Sequence, residues 1–386
     1  MKTVRKRGVG GVPCAILVLC GAMSAPAWGH AEFAVDDVEV CPASADVVDP
    51  EFHPDGTRMV YMTTTGDVRV AGLLPDGSID SSGCVGERVD TGSTWTLPDL
   101  IFRQGPEWGV SALGSEIIHT RSLPDGGFAL ARVWQDAGTW RQEVLKRGED
   151  RGMQVVSRDE ADPNARIMYL RYAAGKYIPS WRESNQPLTE AALKVSGNAE
   201  SGGVPRWVPG TRWVSTAVAD ADGVFQAAVY DIDTKLTRLL TTGPERNDEV
   251  WLWRAPEFGD DWAMLTVEDS CCLRIYREVM GEFVPVLSYD VRTLAGLNKI
   301  YSPEPVVHAG RSYVAFQASN LKLDKKSQIW VVGADPAQPL ARQVSAGTRA
   351  IRIEPEWVET PTGLFVYYTQ YGDDKLSALR RAATGL

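Results

Sequence analysis

Pro50-Glu-Phe-His-Pro-Asp-Gly-Thr-Arg-Met-Val-Tyr61 reads as the end of one β-strand, a tight reversal and the start of the next. Pro54 presets one backbone angle and Gly56 accepts a positive one, which a sharp turn between extended segments requires. Outward from it, residues 58–62 and 67–71 alternate in the manner of half-buried strands. A second turn follows at Pro75-Asp76-Gly77, and a last strand lies near Arg88-Val89. The stretch therefore predicts a four-strand antiparallel meander.

The same order of events returns along the chain. Strand signals begin at seven prolines, five of them followed by glutamate: Pro50-Glu51, Pro106-Glu107, Pro256-Glu257, Pro303-Glu304 and Pro355-Glu356. The other two are Pro163-Asn164 and Pro205-Arg206. Successive spacings are 56, 57, 42, 51, 47 and 52 residues, and recurrence at roughly 40 to 55 residues is the mark of a propeller or another repeat array. From Pro205 the strands fall at 213–219, 225–231 and 237–241; from Pro355 they fall at 364–370 and 376–381, where the chain stops one strand short. Residues 32–40 (Glu-Phe-Ala-Val-Asp-Asp-Val-Glu-Val) read as a strand able to complete that last unit and remove an exposed sheet edge. The fold class expected is all-β: a seven-bladed β-propeller, with six or eight blades as other threadings, its ring closed by the N-terminal strand. Helix is nearly absent; only residues 188–195 have helical composition, inside a polar stretch (179–203) that reads as a rim loop.

Met1 begins a basic segment (Lys2, Arg5, Lys6, Arg7), followed by an apolar run over residues 12–25 and small residues before a cut after Gly29 or Ala31. Residues 1–31 thus read as a secretory signal peptide and 32–386 as a single propeller domain, periplasmic or secreted, with no membrane anchor. Removing residues 1–29 takes those four basic groups away and moves the formal net charge from −10 to −14. So acidic a chain disfavours nucleic acid and anionic membranes, and leaves cations, glycans and basic protein surfaces as partners.

The first quoted stretch resembles the TolB-like β-propeller repeat, whose core reads Pro-x-Trp/Phe-Ser-Pro-Asp-Gly, and Pro205-Arg-Trp-Val-Pro-Gly210 is a second match lacking the Asp. The turn drifts to Phe-Gly-Asp-Asp over 258–261 and to His-Ala-Gly-Arg over 308–311. The resemblance implies an exported propeller serving as a protein-binding scaffold. Because the same repeat occurs in peptidases and polysaccharide lyases, it leaves activity open.

Inner-strand starts face the channel mouth of a propeller, so Glu51, Glu107, Glu257, Glu304 and Glu356, with Arg206 and Asn164, are expected to ring it. Like charges held together raise some pKa values and invite a divalent cation or a cationic group; the plainer reading is that the glutamates satisfy backbone N–H groups and arginines. The function expected is binding of a protein partner or ligand at the mouth, without catalysis. The alternative is a carbohydrate-active enzyme, a glycoside hydrolase or polysaccharide lyase, drawing on Glu257, Asp49, Asp99 or His119. Trp251 and Trp253 share a strand face as a candidate stacking pair, whereas Trp108, Trp207 and Trp357 read as packing between blades. Beyond the leader stand Cys41, Cys84, Cys271 and Cys272. The favoured pairing is Cys41 with Cys84, which leaves Cys271-Cys272 as a vicinal disulfide or as two thiols on opposite sides of a strand. His30, if it became the N-terminus, would offer copper an amine and an imidazole. No phosphate loop, serine elbow or zinc motif appears.

Overall fold

The computed structural model describes residues 37–79, 83–94, 104–111, 114–145, 149–157, 164–173, 175–194, 205–320, 327–347, 350–372 and 377–386. They build seven four-stranded antiparallel sheets, arranged as a seven-bladed β-propeller with almost no helix. Blade one comprises Val48–Phe52, Arg58–Met62, Val68–Gly72 and Glu87–Asp90. Blade two comprises Glu107–Ser111, Gly114–Ser122, Phe128–Asp136 and Thr139–Val144, and blade three Arg151–Val156, Arg166–Ala173, Lys176–Glu183 and Gln186–Ala192. Blade four is Arg206–Trp207, Trp213–Ala219, Phe225–Asp231 and Thr237–Leu239; blade five is Asn247–Ala255, Asp261–Glu268, Cys272–Val279 and Glu282–Asp290. Blade six holds Lys299–His308, Arg311–Ser319, Gln328–Gly333 and Ala341–Gln343. Blade seven holds Ile351–Thr360, Gly363–Tyr371 and Ser377–Ala383, and its outer strand is Asp37–Cys41 from the other end of the chain.

That closure has a definite register, Asp37 opposite Ala382 and Glu39 opposite Arg380. An Arg380–Asp37 ion pair at 2.8 Å and the Cys41–Cys84 disulfide, which ties the closing strand to blade one, reinforce it. The core lies in layers between neighbouring blades. Phe52, Met59 and Tyr61 of blade one pack on Val358, Phe365 and Tyr367 of blade seven, and comparable clusters join blades one and two, two and three, three and four, four and five, and six and seven. Indoles staple successive inner strands. Trp108 donates to the Glu51 carbonyl at 3.2 Å, Trp207 to that of Val155 at 3.2 Å and Trp357 to that of Glu304 at 2.7 Å.

The feature that recurs at the inner-strand starts is a bulge with one left-handed residue, not the proline. Asp49, Met153, Glu249, Ser302 and Glu354 have φ of 49°, 59°, 52°, 44° and 56°. In each case the pairing with the second strand slips across that residue. Proline follows the bulge residue in blades one, six and seven, while Gln154 and Val250 stand there in blades three and five. Two sequence expectations are corrected on this basis. Blade three starts at Arg151, not at Pro163, and Asn164 precedes its second strand. Blade five starts at Asn247, and Pro256-Glu257 lies in the turn after its inner strand, where Pro256 opens a short 3-10 turn closed by Gly259 at φ 74°.

Residues 188–192, expected as helix within a loop, belong to the outer strand of blade three, where Trp181 pairs with Ala191 and Ser180 with Ala192. The free edge of Lys176–Glu183 offers main-chain partners, and Leu193 is buried among Met168, Trp181 and Tyr230; together these override the helix preference of Ala and Leu. The one α-helix among the described residues is Val291–Leu294. No helix among them is long and apolar enough to cross a membrane.

Candidate functional site: the channel mouth

Once the bulges are aligned, the residue after the proline position is Glu51, Glu107, Val155, Arg206, Trp251, Glu304 and Glu356 in blades one to seven. Five of these seven were expected as the ring. The bulge residues Asp49, Glu249 and Glu354 add three carboxylates beside it.

Arg206 organises the centre. Its guanidinium lies 3.8 Å from the Glu304 carboxylate and stacks on Trp251, 4.7 Å from the ring centroid. Arg206 belongs to blade four and Glu304 to blade six, so this contact between non-neighbouring blades runs across the channel mouth. Glu107 of blade two joins the same electrostatic group. Its pKa is raised to about 8, above all by burial, with Asp49 and Glu304 adding to the rise and Arg206 and a hydrogen bond from Gln104 opposing it. Burial likewise raises Glu249, with Asp248 adding to the rise and Arg206 and Lys299 working against it. Asp49 accepts the Gly105 amide, which fixes the bulge of blade one against the start of blade two. A single guanidinium is thereby shared among carboxylates from three blades, two, five and six. Such a cluster holds protons at neutral pH and favours whatever adds positive charge to it.

Other expected site residues lie elsewhere. Glu257 sits at the far end of its inner strand, where Ser312 Oγ of blade six donates to it at 3.0 Å; it is no part of the mouth. Trp253 is buried and donates to Ser312 Oγ at 2.9 Å, so Trp251 and Trp253 form no exposed pair. His119 is fully enclosed between Asp90 Oδ2, at 2.8 Å, and the Thr120 carbonyl, at 3.2 Å, beyond the reach of a substrate. Glu51 is buried, and its carbonyl serves the Trp108 staple. Asp99, His30, Pro163 and the expected signal peptide lie outside the described residues.

Cys271 and Cys272 are thiols whose sulfurs converge to 2.9 Å, in the hairpin where Asp269 and Ser270 are left-handed. With Asp290 they make a trio of possible metal ligands. Asp290 is already engaged by Arg292 at 2.6 Å and caps the short helix. Among the described residues no three mouth carboxylates bring oxygens within 4.8 Å of one another.

The mouth carboxylates that sequence reading missed are Glu354, beside Pro355, and Glu249. Glu249 becomes legible only when blades are aligned on the bulge, because Val250 follows it instead of proline.

The fold and this site define a seven-bladed β-propeller with an acidic, arginine-centred channel mouth. No protein-family model matches the sequence, and no curated protein matches it. Among solved structures, an oligogalacturonate lyase in complex with manganese is similar at a TM-score of 0.58 and 14% identity, over 92% of this chain and 94% of that one. A Trypanosoma rangeli sialidase holding a covalent 2,3-difluorosialic acid intermediate is similar at a TM-score of 0.46 and 10% identity, over 86% of this chain. The match spans only 59% of that sialidase's length. A Dyadobacter fermentans protein of unknown function is similar at a TM-score of 0.45 and 9% identity, over 75% of this chain and 94% of that one. At these identities the likeness is one of fold.

Proposed function

We propose that this is an exported propeller that binds a protein partner at its channel mouth by accepting a cationic side chain, lysine or arginine, among the mouth carboxylates. The observation that carries the reading is the sharing of one guanidinium, Arg206, among Glu107, Glu249 and Glu304. A further positive group would relieve the mutual repulsion among these carboxylates. The spread of the carboxylates argues against a bare divalent ion, which needs several oxygens converging on one point, and for an organic cation with several N–H donors. Export follows from the basic and apolar leader, and the Cys41–Cys84 bond fits an oxidising compartment.

A second reading is glycan cleavage. It draws on Glu107, a carboxyl that keeps its proton near neutral pH beside Asp49 and Glu304, as a general acid would. The similar lyase, whose substrate is named as oligogalacturonate, gives a reason to include uronate oligomers in the assay.

Thermal unfolding with tetralysine, tetraarginine, calcium and manganese separates the possibilities. A rise in midpoint with the peptides that disappears in Glu304→Gln is expected. A rise with the metal ions alone, or none with any addition, overturns the reading. Turnover of a uronate or neutral oligosaccharide that Glu107→Gln abolishes would establish the second reading instead.

A further inference from the structure

The face of the propeller opposite the mouth carries a cavity of about 380 Å³, formed where blades one, two and three meet. This volume falls in the range of small-molecule sites, ~300–1,000 Å³. Trp108, Trp134 and Trp140 line it with Arg58, Arg132 and Glu116. Its position follows from topology. Arg58 opens the second strand of blade one, Trp134 and Trp140 flank the last hairpin of blade two, and Asn185 sits in the last hairpin of blade three. All of these turns lie at the end away from the inner-strand starts.

The lining is ordered by its own contacts. Arg58 stacks on Trp108 at 5.1 Å and Arg132 on Trp134 at 4.7 Å, while Trp140 donates its indole N–H to Glu87 at 3.0 Å. Arg132 is held between Glu116, at 3.4 Å, and Glu143, at 2.7 Å, and also reaches Asn185. Glu116 is 7% exposed; burial raises its pKa, while the Ser184 hydroxyl and Arg132 beside its carboxyl work against the rise. A buried carboxylate at a cavity wall is costly unless donors surround it, and a ligand hydroxyl in the cavity can add one.

We propose that this cavity is a saccharide-binding site, separate from the channel mouth. Indole edges and faces suit the C–H surface of a pyranose. Planar side chains with paired donors or acceptors, here Arg132, Gln135, Asn185 and Glu116, suit vicinal hydroxyls, which an aliphatic or purely aromatic ligand lacks. The Glu116 carboxylate, in the lining, accepts one of those hydroxyls. The guanidinium groups admit either a neutral sugar or a uronate, because the two share the hydroxyl pattern that the site reads.

Isothermal titration of the exported chain tests this with cellotriose and maltotriose as neutral probes and trigalacturonate as the acidic one. Saturable binding of either kind is expected, weakened at least tenfold in Trp134→Ala and in the isosteric Glu116→Gln, with far-ultraviolet circular dichroism unchanged. The exposed Gln135→Ala is expected to weaken it too and leaves the fold untouched. Arg206→Gln, at the other face, leaves it unaltered. Absence of binding by all three probes up to about 10 mM, binding that survives Trp134→Ala and Gln135→Ala, or binding lost in Arg206→Gln would overturn the proposal. Because the mouth is probed with cationic peptides and Glu304→Gln, either site can fail without the other.

Discussion

Replacing Glu107 by glutamine removes the pH dependence that this carboxyl imposes on the fold. In the folded chain its pKa is pushed from 4.5 up to about 8, above all by burial. Folding therefore takes up a proton between those two values. The stabilising contribution is complete below pH 4.5 and is lost as the pH rises through 8, where the buried group must ionise or the chain must unfold. At about 1.4 kcal/mol per tenfold change, that interval amounts to on the order of 5 kcal/mol. Glutamine keeps the shape and never ionises. Urea unfolding of both proteins, followed by tryptophan fluorescence at intervals from pH 5 to pH 9, should give nearly equal stabilities at the acid end. The variant should gain steadily to an advantage of several kcal/mol at the alkaline end. Glu249, raised as well, titrates in both proteins and largely cancels from the difference. A difference that stays flat across the range, or that favours the wild type at pH 9, would refute the placing of Glu107 in a dry, carboxylate-rich centre.

Gly56 has φ 68°, and a Cβ there would lie 2.5 Å from the Glu359 carbonyl oxygen, a backbone atom of blade seven. Gly56→Ala should lower stability by roughly 2–4 kcal/mol, whereas Gly210→Ala, at φ 67° with nothing within 4 Å, should lose only about 1 kcal/mol; paired thermal denaturation checks the contrast. Trp357→Phe removes the 2.7 Å bond to the Glu304 carbonyl and should lower stability by about 1–2 kcal/mol in urea titration.

The blades were legible where the local chemistry of a turn determines its shape. His53-Pro-Asp-Gly56 closes as expected: Gly56 is left-handed, and Asp55 accepts both the amide and the hydroxyl of Thr57. The last blade's missing strand was legible too, because an unpaired edge must be filled and only one stretch of suitable pattern preceded the first repeat. Blades three and five resisted for one reason. A bulge needs a left-handed residue, and Met153 and Glu249 adopt that geometry without any proline to mark it. The proline count therefore drew Asn164 and Glu257 into the ring in place of Val155 and Trp251. Cross-channel contacts were beyond a one-dimensional reading altogether, since nothing local to Arg206 announces that its partner stands almost a hundred residues away at Glu304.

Those cross-channel contacts make the mouth a property of the closed ring. Arg206, Trp251 and Glu304 come from three consecutive blades, but Glu107 and Asp49 approach from the far side of the axis. Their distance to Arg206 is fixed only when all seven blades are in place. Closure rests on five residues, Asp37–Cys41, with the ion pair to Arg380 and the disulfide to Cys84. A bridge of 43 residues' separation removes loop entropy worth roughly 4 kcal/mol from the unfolded chain. That stabilisation acts at the outer rim of blade seven, yet its consequence appears at the centre, where a ring one strand looser would let the carboxylates separate and release the proton held on Glu107. The cavity on the opposite face needs no such closure, because blades one, two and three adjoin in sequence and pack directly on one another. The two sites therefore place different demands on one fold: the mouth requires an unbroken circle, and the cavity requires only three adjoining blades.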